Sequence, residues 1–197
     1  AFDYLAVGES LVLTYTITAD DHDGGTTTHD VVITITGTND APIITQKQDV
    51  NASVFAASVA EDDSSLAAGQ ISTSGSFDFT DVDASNRPHL EPVLQSGSVT
   101  YSAGVKRSTA LDTALGSALS AQLHAGAANN GTVDWTFALD NSLTQYLAAG
   151  ETVTATYTVT LKDNAGSPVS RDVTVTITGA NDKVQDVVIS DQNYTEQ

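Results

Sequence analysis

The sequence predicts an all-β fold, a β-sandwich with one short helix in an insertion around residues 109–123. Three observations predict it: β-branched residues alternate with period two, a long block occurs twice, and Gly, Asn, Asp and Pro gather where the alternation stops. Tyr4–Asp40 aligns without a gap on Tyr146–Asp182 at a constant offset of 142, with 19 of 37 positions identical. Self-similarity at a fixed period signals an array of modules. This period is too long for a solenoid turn and suits one independent domain. The expected layout is residues 1–40 as the C-terminal hairpin of a preceding repeat, 41–182 as one complete repeat, and 183–197 as the start of the next repeat or a tail.

The elements follow in order. In Leu11–Thr18, Leu11, Leu13, Tyr15 and Ile17 share one face; in Val31–Thr36, Val31, Ile33 and Ile35 do. The second copy repeats this with Val153, Ala155, Tyr157 and Val159, then Val173, Val175 and Ile177. Such alternation marks half-buried strands. A polar loop joins each pair, Ala19–Asp30 or Lys162–Asp172, so each pair reads as the terminal hairpin of a sandwich. Gly37-Thr38-Asn39-Asp40-Ala41-Pro42 and Gly179-Ala180-Asn181-Asp182 close the hairpins and mark module boundaries.

Between the boundaries, Ser53–Val59, Gly75–Thr80, Ser98–Tyr101 and Gly131–Leu139 read as strands. Trp135 lies in the last, with Val133 and Phe137 on the same side, and reads as a core residue. Thr109–Leu123 differs in character. Leu111, Leu115, Leu119 and Leu123 recur every four residues, which suits one helical face, although Gly116 weakens it.

Composition narrows the function. Seven Lys+Arg against 25 Asp+Glu leave a formal charge of -18. Phosphate binding needs a basic face, so nucleic acid is an unsuited partner, and anionic membrane is too. No run of about 18 apolar residues offers a membrane-spanning helix. The chain has no Cys, which removes thiolate zinc sites, redox pairs and thiol nucleophiles. Aromatics are sparse and sit mostly in strand patterns, no phosphate-binding glycine loop is present, and no Ser-His-Asp set stands in a recognisable context. The chain reads as a non-enzyme.

The chemistry lies in where the carboxylates fall. They gather at strand ends and boundaries: Asn39-Asp40, Glu61-Asp62-Asp63, Asp81-Val82-Asp83, Asp140-Asn141, Asp163-Asn164 and Asn181-Asp182. Ca²⁺ takes six to eight oxygens from carboxylates, amide carbonyls and water. An Asp-x-Asp step on extended chain puts two carboxylates on one side. Any single pair is equally a turn former; the set points to coordinated Ca²⁺ at the junctions. Asp20-Asp21-His22-Asp23-Gly24-Gly25 has neither EF-hand spacing nor a closing Glu, and reads as a solvated hairpin tip. Of its acidic residues, the counterpart loop Asp163-Asn164-Ala165-Gly166 keeps only Asp163.

Ala60-Glu61-Asp62-Asp63, Phe79–Asp83, Val133–Asn141, Tyr146–Thr152 and Val173–Asp182 together resemble the VCBS repeat of large bacterial surface adhesins, often of the RTX, type I-secreted kind. The resemblance spans nearly all of 41–182 and, through the duplicated block, 1–40. It implies a cadherin-like or Ig-like sandwich, an extracellular location on the bacterial cell surface, and a part in cell adhesion and biofilm formation. Its Asn-Asp-x-Pro linker, downstream Glu and Asp-x-Asp look like cadherin junctions stiffened by Ca²⁺. That nominates Asn39, Asp40, Glu61, Asp81 and Asp83 at one junction, with Asp62 beside Glu61, and Asn181 and Asp182 at a second. Partners are then the neighbouring repeats, with surface or matrix glycans or proteins reached through other domains. The expected function is a structural extender with calcium-rigidified junctions. The alternative is a glycan- or protein-binding adhesion module using residues 92–130. Exposed aromatics near Tyr101 would favour the alternative, and in the sequence Tyr101 stands alone.

Overall fold

The structure is a computed structural model that describes residues 2–46, 55–62, 69–125 and 129–182. The strands are β1 (Ser10–Asp20), β2 (Thr26–Thr36), β3 (Ile43–Gln46), β4 (Ala56–Ala60), β5 (Gln70–Thr80), β6 (His89–Leu90) and β7 (Leu94–Tyr101). Helix α1 (Thr109–Leu115) comes next, followed by β8 (Leu119–Ala125), β9 (Asn130–Asp140), β10 (Thr152–Lys162) and β11 (Pro168–Thr178). β3-β5-β9-β8 form one antiparallel sheet, and β4-β11-β10 form the second, with β6 and β7 both on the free edge of β10. β4 runs parallel to β11, the one parallel pair among the described strands. This strand order is that of an Ig-like sandwich.

Alternation sets the layers. Along β10, Val153, Ala155, Tyr157, Val159 and Leu161 are buried, and the residues between them are partly exposed. β9 answers with Val133, Trp135, Phe137 and Leu139. Rings of Phe137 and Tyr157 meet across the sheets at 6.2 Å between centroids. Tyr157 Oη donates to the Leu115 carbonyl at 2.9 Å, which satisfies the one polar atom of a buried ring. Trp135 is a core residue, as its strand context predicts. Gly75 pairs with it across the sheet, and a Cβ there would stand 2.5 Å from the indole Cζ2.

The Leu-rich segment splits. α1 ends at Leu115, with Gly116 as its C-cap, and Leu119 and Leu123 then lie on β8, paired with Phe137 and Val133. A spacing of four fits a helical face and equally a strand face, since it is twice the strand period. Pairing with β9 decides for strand beyond Gly116. Residues 92–130 are correspondingly not an appended elaboration: β7 and β8 are integral edge strands of the two sheets, and only α1 and its flanking loops lie between them. β7 bulges opposite β10 between Thr154 and Thr156, where Gly97 takes a φ of 74°. β3 and β6 are too short to show a period. Of the Ser53–Val59 expectation, 53–54 lie outside the described residues.

Among the described strands, β1 and β2 pair only with each other. They reproduce the β10–β11 hairpin but leave Tyr15, Ile17, Val31 and Ile33 exposed.

Candidate metal centre

Asn39, Asp81 and Asp83 meet where the linker from β2 reaches the sandwich. Three segments converge: the linker, the loop after β5, and the β10–β11 turn. Asp83 amide donates to Asp81 Oδ1 at 3.0 Å, folding Asp-Val-Asp into a tight turn with Val82 outward. Asp83 Oδ2 accepts from the Asp40 amide and from Asn86 Nδ2, both at 2.9 Å. Asn86 Nδ2 also reaches Asn39 Oδ1 at 3.1 Å. Asn39 Nδ2 in turn donates to Asp163 Oδ2 at 2.9 Å and Ser167 Oγ at 3.0 Å. The opposite oxygen of Asp163 is taken by the Ser167 amide.

The electrostatics are strained. Asp81, Asp83 and Asp163 are 4%, 0% and 1% exposed. Asp81 Oδ2 and Asp83 Oδ1 are buried with no hydrogen-bond partner. Buried polar atoms are almost always partnered, so each such orphan asks for a cause. Burial pushes the Asp81 carboxyl up, and the negative charges of Asp83 and Asp163 push it further. Asp163 goes the other way: burial raises it, but Asn39 and the Ser167, Gly166 and Ala165 amides outweigh that and hold it low.

Glu61 does not join this group, contrary to the expected grouping. The Glu61 amide bonds the Thr178 carbonyl at the far end of β11, whereas Asp163 precedes the near end. At about 3.4 Å per residue, the 11-residue strand separates the two poles by about 34 Å. The reason is the parallel pairing of β4 with β11, which carries Glu61 to the C-terminal end of the sandwich. There Glu61 Oε1 accepts from the Ala180 amide at 3.0 Å, while Oε2 is buried and unpartnered. Burial raises its carboxyl, with Asp182 and Asp62 adding like charge. Asp62 lies beside it and accepts from Asn141 at 2.5 Å and Gln145 at 2.9 Å. Gln145 and Asn141 hold Asp62 low, and its hydrogen bond with Asp182 raises Asp182. Asn181 is exposed, and its side chain donates to the Asp182 carbonyl at 3.3 Å. Asp40 contributes an amide to the first group, and its carboxylate faces solvent.

Of the nominated residues, the structure therefore brings Asn39, Asp40, Asp81 and Asp83 together at one pole, and Glu61, Asp62 and Asp182 at the other. Asn86, Ser167 and Asp163 complete the first pole; Asp163 stood among the clustered carboxylates without being assigned to a junction, and the other two were not nominated. A further signal for Asp163 lay in the duplication, because it is identical to Asp21 in a loop that diverges at most positions. Nothing in the sequence marks Asn86 or Ser167.

The donor chemistry suits a hard divalent cation: every available ligand is oxygen, the cluster is acidic, and two carboxylate oxygens are orphaned. As the side chains stand, no three His, Asp or Glu among the described residues converge to enclose an ion. A cation at the first pole would draw Asp81, Asp83 and Asp163 together, with the carbonyl oxygen of Asn39 as a neutral donor.

No protein-family profile matches the chain, and no curated protein does. Among solved structures it is similar to an ASH/PapD-like domain of human CEP192, PapD-like domain 7, at 10% identity and a TM-score of 0.38, over 72% of this chain and 87% of that one.

Proposed function

We propose that this chain is a structural extender unit of a secreted bacterial surface adhesin, with Ca²⁺ stiffening the joint between successive sandwiches. One observation carries the reading: the orphaned oxygens of Asp81 and Asp83 lie buried at the point where the β1–β2 linker meets the sandwich. An uncompensated buried carboxylate is costly. Placing it at a joint makes sense if a cation arrives there, because the same ion then neutralises the cluster and ties the linker down. The net charge of -18 agrees with modules held loose where Ca²⁺ is scarce and compact where it is plentiful. The duplicated block and the resemblance to VCBS repeats supply the array and the cell surface. Thermal unfolding with Ca²⁺ and with chelator tests the ion. Small-angle scattering on a multi-unit array tests the stiffening, and equal flexibility in both conditions ends the extender reading.

A second reading has one observation in its favour. Tyr146, which is exposed, lies near Tyr101, and the Arg107 guanidinium sits 5.6 Å over the Tyr101 ring. Tyr101 is thus not alone in space. A tyrosine ring under the guanidinium of an Arg–Asp pair is a surface a sugar could use, and a glycan array separates this adhesion-module reading from the first.

A further inference from the structure

The two hairpins share one geometry and have different surroundings. Their registers coincide at the offset of 142, from Ser10↔Thr36 and Thr152↔Thr178 to Asp20↔Thr26 and Lys162↔Pro168. The cross-strand bond of Thr16 to Asp30 recurs as Thr158 to Asp172, both at 2.7 Å. The lead-in bond of the Ala6 amide to Glu9 recurs as Ala148 to Glu151. The turns agree as well: Asp21 Oδ1 accepts from Gly25, and Asp163 Oδ1 from Ser167, each at 2.8 Å. Hairpin form is therefore set locally. Burial is not: Tyr157, Val159 and Val173 are at most 1% exposed, whereas Tyr15, Ile17 and Val31 are 54%, 57% and 38% exposed.

We propose that the face of β1–β2 bearing Tyr15, Ile17 and Ile33 is the docking surface for a four-stranded sheet of the β3-β5-β9-β8 kind, supplied by another unit of the same repeat. This rests on the array reading and specifies what the neighbour carries. The occupant is argued from the chain itself, because the equivalent face of β10–β11 takes that sheet. A large apolar face left in water marks an interaction site.

The geometry also sets the partner's chemistry. Tyr157 spends its hydroxyl on a carbonyl at the end of α1, so the incoming unit presents a backbone carbonyl to Tyr15. Leu13 stands where β10 has Ala155, which is 2% exposed, and Ala19 stands where β10 has fully buried Leu161. The incoming sheet therefore carries space opposite Leu13 and bulk opposite Ala19. It is a sister of β3-β5-β9-β8 and not a duplicate. Forcing Leu13 onto a sheet cut for Ala155 overpacks it, which keeps repeats from exchanging hairpins. Asp21 Oδ2 corresponds to the Asp163 oxygen that holds Asn39, and so receives the linker amide of that unit.

Fusing a second copy of residues 41–145 directly before Tyr4 supplies such a sheet, because Tyr4 and Tyr146 are equivalent. Amide hydrogen exchange is read over Leu13–Ile17 and Val31–Ile35 in the extended and unextended chains, with and without Ca²⁺. Extension is expected to slow exchange by about a hundredfold. Adding Leu13→Ala and Ala19→Leu, which matches the hairpin to the copied sheet, slows it further. No slowing in either extended chain, with β10–β11 still protected, overturns the proposal. So does protection of β1–β2 in the unextended chain through a concentration-dependent dimer, since the occupant is then a second hairpin. The calcium response of Asp81 and Asp83, followed in the same samples, judges the extender reading separately.

Discussion

Asn39 Nδ2 donates to Asp163 Oδ2 at 2.9 Å across 124 residues of sequence. With the Asn39–Asn86 contact, this bond makes one short side chain the tie between the β2 linker, the β10–β11 turn and the loop after β5. The linker is held by an amide that a cation could supplement.

Removing that tie gives the first prediction. Asn39→Ala strips Asp163 and Asn86 of a partner, and Asp163 is buried. Leaving buried groups unpaired costs about 1–3 kcal/mol. Urea unfolding of the full chain, followed by Trp135 fluorescence, is expected to show a midpoint shifted down. An unchanged midpoint removes Asn39 from the stability of the joint.

Asp81→Asn separates charge from structure. It keeps the acceptor used by the Asp83 amide while removing a charge that burial and two like-charged neighbours disfavour. Without Ca²⁺ the variant is expected to melt at or above the parent temperature. Its Ca²⁺-induced rise in melting temperature, however, is expected to be lost. A variant that keeps the full calcium response shows that Asp81 holds no ion.

The raised carboxyls of Asp81 and Glu61 fix the sign of a pH effect. A group whose folded pKa exceeds its unfolded one binds protons better when folded. In chelator, stability is therefore expected to rise as pH falls from neutrality through the raised folded pKa values. The gain is complete near the ordinary values of 3.8 for Asp and 4.5 for Glu. Asp163, held low, acts in reverse, and its contribution is lost on further acidification through its folded pKa. Differential scanning calorimetry from pH 7 downward checks this. A monotonic fall in melting temperature contradicts the burial of Asp81 and Glu61.

Gly75→Val tests the core rather than the joint. The indole of Trp135 occupies the space of the new side chain. Overpacking costs about 1–3 kcal/mol, so the expected outcome is a lower unfolding midpoint together with a shifted Trp135 emission. The calcium response should survive in whatever fraction stays folded, because Gly75 is five residues inside β5 and away from both poles.

Much of this molecule was legible in its residues. Period-two alternation is dictated by the pleat, and it alone marked β1, β2, β9, β10 and β11 with their apolar faces. The offset of 142 exposed the hairpin unit, and clustered carboxylates marked the poles. Tertiary structure decided the rest. Leu119 and Leu123 satisfy helix and strand alike at a spacing of four, so only pairing with β9 could choose. Glu61 and Asp81 are both acidic strand ends, but the parallel course of β4 along β11 carries one to each pole. Burial too was decided there: Tyr15 and Tyr157 sit in matching strands with matching registers, and only the presence of a facing sheet makes one of them core. Local sequence specifies which side of a strand is apolar, whereas long-range packing specifies whether anything covers it.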